Sequence, residues 1–278
     1  MKNTILLVTD FYYQAKGREY FREDIELSEF LRKHFKVCIS HIDDLEKILP
    51  TVDAVLLRNT GPQSSHRQAL KALRQRTNTP FSNDLRGKGD INGKSHLREL
   101  FLAEYPVIPT FFSIEELQRF IPCEQYFLKP IDGADSDGVQ ILTYKELLAK
   151  KPSHLVIQPL ISFQYEVSFY FVDDQFHYAL YAPDPSRRWE LMPYVPTQED
   201  IAFACKFIQW NTCKSGIQRV DGCRLPDGRL LLMELEDYNP FLSLNLLKKE
   251  IKEQFLESLC ASLSRIISKE KNRCPIKK

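Results

Sequence analysis

Short apolar runs alternate with amphipathic stretches in the first third of the chain. The apolar runs at 5–8, 37–40 and 54–57 predict short strands. The stretches at 23–35 and 65–76 carry apolar side chains at roughly helical spacing, which predicts helices. An alternation of this kind indicates an open sheet with helices packed on its faces.

The middle of the chain continues with fewer elements. Its pattern predicts a helix at 93–102 and a strand at 125–130. A glycine-bearing turn at 132–138 then leads into a further strand at 139–142. This part therefore has enough predicted structure for a small sheet of its own.

The last part of the chain is rich in strands before it becomes helical. Strands are predicted at 155–157, 166–172 and 177–181. They are followed by a helix at 199–212, a hairpin at 219–236 and a closing helix at 247–267. We therefore predict three domains, with bounds at 1–84, 85–151 and 152–278.

The composition excludes several classes of protein. The chain has 278 residues, of which 38 are basic and 37 acidic, for a net charge of +1. This balance gives no support for a nucleic-acid-binding surface. No apolar run is long enough to span a bilayer, so we expect no membrane partner.

The first residues and the cysteines indicate a cytoplasmic protein. Asp10 ends the first apolar run early and no small-residue cleavage site follows it, which predicts a first strand rather than a signal peptide. The seven cysteines are odd in number, scattered, and form no CxxC pair. Reduced thiols are therefore expected, and a structural zinc site is disfavoured.

The hairpin at 219–236 carries three acidic side chains that one face of a sheet can bring together. Asp221 and Glu234 lie side by side if the two strands pair antiparallel, and Glu236 points to the same face as Glu234. Carboxylates without histidine or cysteine favour Mg²⁺ or Mn²⁺. The alternative is an edge hairpin whose acids face water.

Lys129 ends an apolar strand and precedes a turn that contains Gly133, Ser136 and Gly138. A lysine at this place can reach a phosphate while backbone N–H groups of the loop donate to the same oxygens. The alternative is a solvent-exposed hairpin. The Walker order of glycine, lysine and serine is missing here, and the absence of a glycine-rich dinucleotide fingerprint disfavours a nicotinamide cofactor.

Gln158 and Pro159 end the next strand, and Glu166 begins the one after it. Because proline cannot donate a hydrogen bond, the strand end leaves backbone groups unpaired that can bind the edge of an adenine. Glu166 can accept hydrogen bonds from ribose hydroxyls. The alternative is an ordinary edge strand with a bulge.

Taken in order, these features resemble the ATP-grasp superfamily, in its glutathione synthetase and ribosomal-protein S6 glutamate ligase branch. The order is a lysine and glycine loop, a Gln-Pro strand with a glutamate, Arg-x-Asp, Glu-x-Glu and Asn-Pro, between about Asn83 and Leu244. The resemblance implies an α/β chain that is α+β in its C-terminal part. It would have a Rossmann-like pre-ATP-grasp domain followed by two α+β subdomains that clasp the nucleotide.

The resemblance assigns nucleotide contacts to particular residues. Lys94 and Lys129 match two lysines that contact ATP, the first of them on a helix. The hinge that holds adenine and ribose matches Gln158, Leu160 and Glu166. ATP is therefore the implied cosubstrate.

The same resemblance implies a metal site with two Mg²⁺ or Mn²⁺ ions. Asp221 and Glu234 match its carboxylates, and Arg219 matches the arginine that stabilises the transferring phosphoryl group or the tetrahedral intermediate. The family usually has asparagine where this chain has Glu236. We expect metal binding to survive this change, because a carboxylate adds a negative charge.

The implied activity is that of an ATP-dependent carboxylate–amine ligase that works through an acylphosphate and releases ADP and phosphate. Its partners would be a small-molecule or peptide carboxylate and an amine acceptor. A small-molecule kinase of the same superfamily and a non-catalytic nucleotide-binding regulatory module are the alternatives. The sequence leaves both a monomer and a homodimer open.

Two arginines beside a tryptophan are candidates for substrate binding. Arg187 and Arg188 precede Trp189 in a loop, and two guanidinium groups there can hold a carboxylate. The alternative is that both are surface charges that flank a buried Trp189.

Overall fold

The computed structural model of the protein describes residues 2–15, 17–60, 63–118, 120, 123–133, 138–150 and 153–273. In this part of the chain the strands are β1 (Thr4–Val8), β2 (Gln14–Ala15), β3 (Arg18–Glu19), β4 (Lys36–Ser40), β5 (Ala54–Leu57), β6 (Phe81–Ser82), β7 (Ile91–Lys94), β8 (Gln125–Pro130), β9 (Gln140–Thr143), β10 (Leu155–Pro159), β11 (Tyr165–Val172), β12 (Gln175–Ala182), β13 (Met192–Tyr194), β14 (Ile217–Arg224) and β15 (Leu230–Glu236). The helices are α1 (Tyr20–Leu31), α2 (Leu45–Ile48), α3 (Gln63–Arg76), α4 (Ser95–Leu102), α5 (Ile114–Leu117), α6 (Tyr144–Lys150), α7 (Gln198–Trp210) and α8 (Lys249–Arg273). Within the described residues, no helix is both long enough and apolar enough to cross a bilayer.

The first sheet is parallel, with the strand order β4-β1-β5-β6. The unbroken apolar runs of β1 and β5 place them at its centre, where both faces are covered. Helices α1 and α8 pack on one face. Residues from α2 and α3 pack on the other. The predicted strands are confirmed, but α1 begins and ends earlier than the predicted helix at 23–35, because the chain turns after Leu31 to enter β4.

The second sheet is antiparallel, with the order β10-β8-β9. Tyr126, Leu128 and Ile157 from its strands pack against Leu147 of α6 and Phe111. β8 has the bounds predicted for it. β10 is hydrogen-bonded to this sheet although it follows the predicted boundary after residue 151, and the domain boundaries stay predictions.

The third sheet is antiparallel, with the order β13-β12-β11-β14-β15. Successive side chains of β11 point to opposite faces, as a strand requires. Phe169 and Phe171 contact the core that includes α7, whereas Tyr170 and Val172 contact the core that includes α8. The sheet is therefore covered on both faces.

The end of the N-terminal region is fastened to the third sheet by a buried asparagine. The Asn83 amide donates to the carbonyl oxygens of Ile217 (2.8 Å) and Asp237 (2.9 Å). Its side-chain oxygen accepts from the Ile217 N–H at 3.2 Å. These bonds hold the first sheet against the hairpin that carries the acidic residues.

Candidate active site

A cleft between the second and third sheets collects most of the residues that the sequence singled out. Apolar side chains line part of it, among them Ile108, Phe127 and Met233. The sequence-predicted residues that line it are Lys94, Lys129, Gly133, Gln158, Leu160, Glu166, Arg188, Asp221 and Glu234. Residues more than one hundred positions apart in the chain therefore converge on one site.

The predicted pairing of the acidic hairpin is confirmed. In the β14–β15 register Asp221 lies opposite Glu234, and Arg219 lies opposite Glu236. One ligand oxygen from each of Asp221, Glu234 and Glu236 lies within 4.8 Å of the other two. Three converging carboxylates with this spacing fit a hard divalent cation such as Mg²⁺. They do not face bulk water as an edge hairpin would, because all three side chains are largely buried.

Arg219 neutralises two of these carboxylates. Its Nη2 donates to Asp221 Oδ2 at 2.8 Å and also to Glu236, and its Nε donates to Asp221 Oδ1 at 2.9 Å. The Arg219 Nη1 donates to the carbonyl oxygen of Phe241 at 3.1 Å. Burial raises the pKa of Glu236, and the guanidinium beside it favours the ionised form. The arginine is therefore fixed in position beside the three carboxylates.

Lys94 neutralises the third carboxylate, Glu234, through a direct ion pair. Burial opposes ionisation of Glu234, but the ammonium groups of Lys94 and Lys129 outweigh it and hold the pKa of Glu234 at about 2. The sequence suggested that Lys94 lies within a helix, but in the structure it is the last residue of β7. It occupies the N-cap position of α4, which begins at Ser95, without a capping hydrogen bond from its side chain.

Gly93 is what allows this placement of Lys94. Its φ of +71° is in the left-handed region, and a Cβ there would lie 2.8 Å from the Ile131 carbonyl oxygen. The backbone can therefore approach closely, and the Lys94 N–H donates to that same oxygen at 2.8 Å. The contact fixes Lys94 beside the end of β8.

Lys129 lies in the cleft rather than in a solvent-exposed hairpin. Its Nζ donates to the Met233 carbonyl oxygen at 3.5 Å. Burial, together with the charge of Lys94, lowers the pKa of Lys129 to about 8. Gly133 lines the cleft and Gly138 lies against Pro130, whereas Ser136 falls outside the described residues.

The end of β10 was predicted to leave backbone groups unpaired, and the structure shows that the Leu160 N–H is not one of them. The Leu160 side chain lines the cleft, but its N–H donates to the Gln125 carbonyl oxygen at 2.9 Å, which leaves it unable to donate to a ligand. One residue later, the Ile161 N–H has no protein acceptor among the described residues, and Ile161 lines the cleft. Gln158 is held in place by its bond to Thr110 Oγ1 at 2.9 Å.

The two candidate substrate arginines have separate partners. Arg188 forms an ion pair with Glu166 at 2.6 Å and lines the cleft. Arg187 pairs with Asp184 and Glu190 on the surface, so the two guanidinium groups do not form one clamp. The idea that they flank a buried tryptophan is also wrong, because Trp189 is 44% exposed.

Sequence reasoning missed two residues near the cleft, Arg18 and His96. Arg18 lies in the short β2–β3 ribbon and its guanidinium carbon is 4.0 Å from the centre of the Trp189 ring. His96 is buried, donates from Nδ1 to the Gly93 carbonyl oxygen at 2.9 Å, and accepts at Nε2 from the Leu235 N–H at 3.4 Å. Arg18 belongs to no motif or periodic run, and the helical pattern at 93–102 predicts a place for His96 but not its hydrogen bonds, so the sequence carried no signal that either residue lies near the cleft.

Comparisons with known proteins give structural relatives only. No protein-family model matches the chain, and none of the curated proteins does. The structure of the D-cycloserine synthetase DcsG matches with a TM-score of 0.71 at 20% identity, over 94% of this chain and 99% of that one. D-alanine–D-alanine ligase from Bacillus anthracis, complexed with ATP, matches with a TM-score of 0.65 at 16% identity, over 96% and 99%.

The ATP-grasp ligase PsnB is a third structural relative. Its complex with a variant of a minimal precursor, Mg and ADP matches with a TM-score of 0.62 at 17% identity, over 96% of this chain and 98% of that one. Matches of this extent confirm the fold predicted from the order of motifs. The branch of the superfamily stays a prediction.

Proposed function

We propose that this protein, whose chain has the ATP-grasp fold, is an ATP-dependent carboxylate–amine ligase. The observation that carries the proposal is the register of β14 and β15, which sets Asp221, Glu234 and Glu236 together beside Arg219. Lys94 and Lys129 add two ammonium groups at the same end of the cleft. Charges in this arrangement suit the transfer of a phosphoryl group.

The nucleotide would occupy the cleft with its base against β10. The Ile161 N–H, which has no protein acceptor among the described residues, and the Pro159 carbonyl oxygen can bind the edge of the adenine, while Ile108, Phe127 and Met233 would contact its faces. Glu166 lies where it can accept hydrogen bonds from the ribose hydroxyls. Lys94 and Lys129 would then contact the phosphates.

The metal ligands would be Asp221, Glu234 and Glu236, whose donor set fits Mg²⁺ or Mn²⁺. When bound, such ions neutralise the charge of the β- and γ-phosphates. The related complexes with ATP, and with Mg and ADP, support the use of ATP and Mg²⁺ here. Once metal ions neutralise the carboxylates, Arg219 and Lys94 would also interact with the negative charge of the phosphates.

The reaction would proceed in two displacements. A carboxylate oxygen of the acid substrate attacks the γ-phosphorus, the bond to the β–γ bridging oxygen breaks, and ADP leaves with that electron pair. The amine then attacks the acyl carbon, the carbon–oxygen bond breaks, phosphate leaves, and the amine nitrogen loses a proton. Arg219, which lies beside the Asp221 and Glu236 carboxylates, would stabilise the negative charge that develops on oxygen in both steps.

The experiment that tests the proposal follows ADP and phosphate together. The protein is incubated with MgATP and mixtures of amino acids and dipeptides, next to a Glu234→Gln variant. A ligase forms ADP and free phosphate in equal amounts only when a substrate pair is present, and the product is found by mass. ADP without matching phosphate would instead identify a kinase, and ATP binding without ADP under any mixture would identify a regulatory module.

A further inference from the structure

The guanidinium group of Arg18 lies over two aromatic rings that come from distant parts of the chain. Its guanidinium carbon is 4.0 Å from the centre of the Trp189 ring and 4.9 Å from the centre of the Phe241 ring. Trp189 follows β12 and Phe241 follows β15, whereas Arg18 belongs to the β2–β3 ribbon of the N-terminal region. Three segments that are far apart in the sequence therefore fix one guanidinium group.

Other arginines around the cleft already have a carboxylate partner, but Arg18 does not. Arg219 pairs with Asp221 and Glu236, and Arg188 pairs with Glu166. Among the described residues, no ion pair and no hydrogen bond involves the Arg18 side chain. Burial lowers the pKa of Arg18 and the positive charge of Arg219 lowers it as well, whereas Tyr20, Tyr170 and Glu236 raise it without reversing the direction. An anion beside Arg18 would relieve both effects.

Arg18 lies near Arg219 and therefore near the end of the cleft where the reaction is proposed to occur. The Phe241 ring contacts Arg18, and the Phe241 carbonyl oxygen accepts from Arg219 Nη1 at 3.1 Å. Arg18 and Arg219 therefore both contact the same residue, Phe241. Because the two rings cover the guanidinium, its in-plane N–H edge is what remains for a bidentate contact with a planar anion.

We propose that Arg18 binds a carboxylate of the substrate that does not itself react. The substrate class is then an amino acid or peptide that carries a carboxylate besides the groups joined by the enzyme. This inference rests on the proposed ligase function, but binding of a carboxylate at Arg18 can be measured without turnover. It assigns to Arg18 the recognition that the sequence suggested for Arg187 and Arg188.

The fluorescence of Trp189 can report binding at Arg18, because the two side chains are in contact. The chain has two tryptophans, and Trp210 lies apart on α7, where it contacts Lys88. A Trp210→Phe variant therefore leaves Trp189 as the sole tryptophan beside Arg18. Its fluorescence is titrated with succinate and, as an uncharged control of similar size, with succinamide, both in the presence of MgADP.

We expect a saturable fluorescence change with succinate and none with succinamide. Arg18→Ala in the same background should raise the Kd for succinate roughly tenfold or more, since a charge-assisted bidentate contact is lost. Arg18→Lys should give an intermediate Kd, because the charge stays and the planar fork is lost. Arg187→Ala, which changes a nearby surface arginine, should leave the Kd unaltered.

Two results would overturn the assignment. One is the same succinate affinity in the Arg18→Ala protein, and the other is the absence of any saturable response to succinate in the parent. Turnover is scored separately, with glutamate and aspartate compared with glutamine and asparagine as substrates. If no mixture yields ADP, the ligase proposal fails while the fluorescence titration still decides whether Arg18 binds carboxylates.

Discussion

Arg219 and Glu236 lie directly opposite each other on β14 and β15, and the Arg219 guanidinium joins the Glu236 carboxylate to that of Asp221. The ATP-grasp superfamily, which the sequence resembles, usually has asparagine where this chain has Glu236. A glutamate there supplies a second anion for the arginine. The site therefore holds Arg219 by two carboxylates and one carbonyl oxygen.

Replacing Arg219 should separate nucleotide binding from turnover. We expect Arg219→Lys to bind an ATP analogue with nearly unchanged affinity and to lose turnover by about a hundredfold, which corresponds to about 3 kcal/mol of transition-state stabilisation. Lysine is the matched change because Arg219→Ala would leave two buried carboxylates unpaired. Parallel measurements of analogue binding and ADP formation test this, and an equal loss in both would refute the role.

The buried ion pair of Lys94 and Glu234 should be visible in protein stability. Lys94 has a side chain only 8% exposed, and removing it leaves the Glu234 carboxylate with only the ammonium group of Lys129, which forms no ion pair with it among the described residues. We expect Lys94→Gln to lower the free energy of unfolding by about 3 kcal/mol. The double variant Lys94→Gln/Glu234→Gln should recover most of that loss while remaining inactive. Urea denaturation of the single and double variants measures the coupling, and simple additivity of the two changes would show that the pair is not coupled.

The lowered pKa of Lys129 predicts how nucleotide affinity depends on pH. In the free protein its pKa is about 8, whereas bound phosphates would stabilise the ammonium form. As the pH rises through about 8, binding requires uptake of a proton, so the affinity for an ATP analogue should fall by up to about tenfold per pH unit. Lys129→Arg stays charged and should lose this dependence. Calorimetric titrations from about pH 7 to about pH 9 compare the two proteins, and parallel profiles would assign the titration to another group.

His96 predicts a loss of stability in mild acid. Burial lowers the pKa of His96 to about 4, and its Nε2 accepts from the Leu235 N–H, which requires the neutral ring. The unfolded chain binds a proton with a pKa near about 6.5, so the contribution of the neutral ring is fully present above that pH and is lost as the pH falls through about 4.

Because of His96, we expect the free energy of unfolding at about pH 5 to be lower by about 2 kcal/mol than at about pH 7. His96→Gln does not titrate, so its unfolding free energy should change less over the same range. Denaturation curves of both proteins at the two pH values make the comparison. The same acid sensitivity in both would mean that other groups dominate.

The nucleotide hinge illustrates where sequence reasoning stops. The Gln-Pro pattern correctly placed a strand end at the cleft, because proline interrupts hydrogen bonding wherever it occurs. Which N–H remains free depends on how β10 pairs with β8. That pairing occupies the Leu160 N–H and leaves the one at Ile161.

The sequence by itself determined the main strands of the three sheets and the longer helices, the antiparallel pairing of Asp221 with Glu234, and the order of motifs that predicted the fold. These features follow from local periodicity and from a short turn, which neighbouring residues fix. Only the tertiary structure decided that Lys94 pairs with Glu234 and that Arg18 lies against both Trp189 and Phe241. Such contacts join residues more than one hundred positions apart, and no local pattern records them.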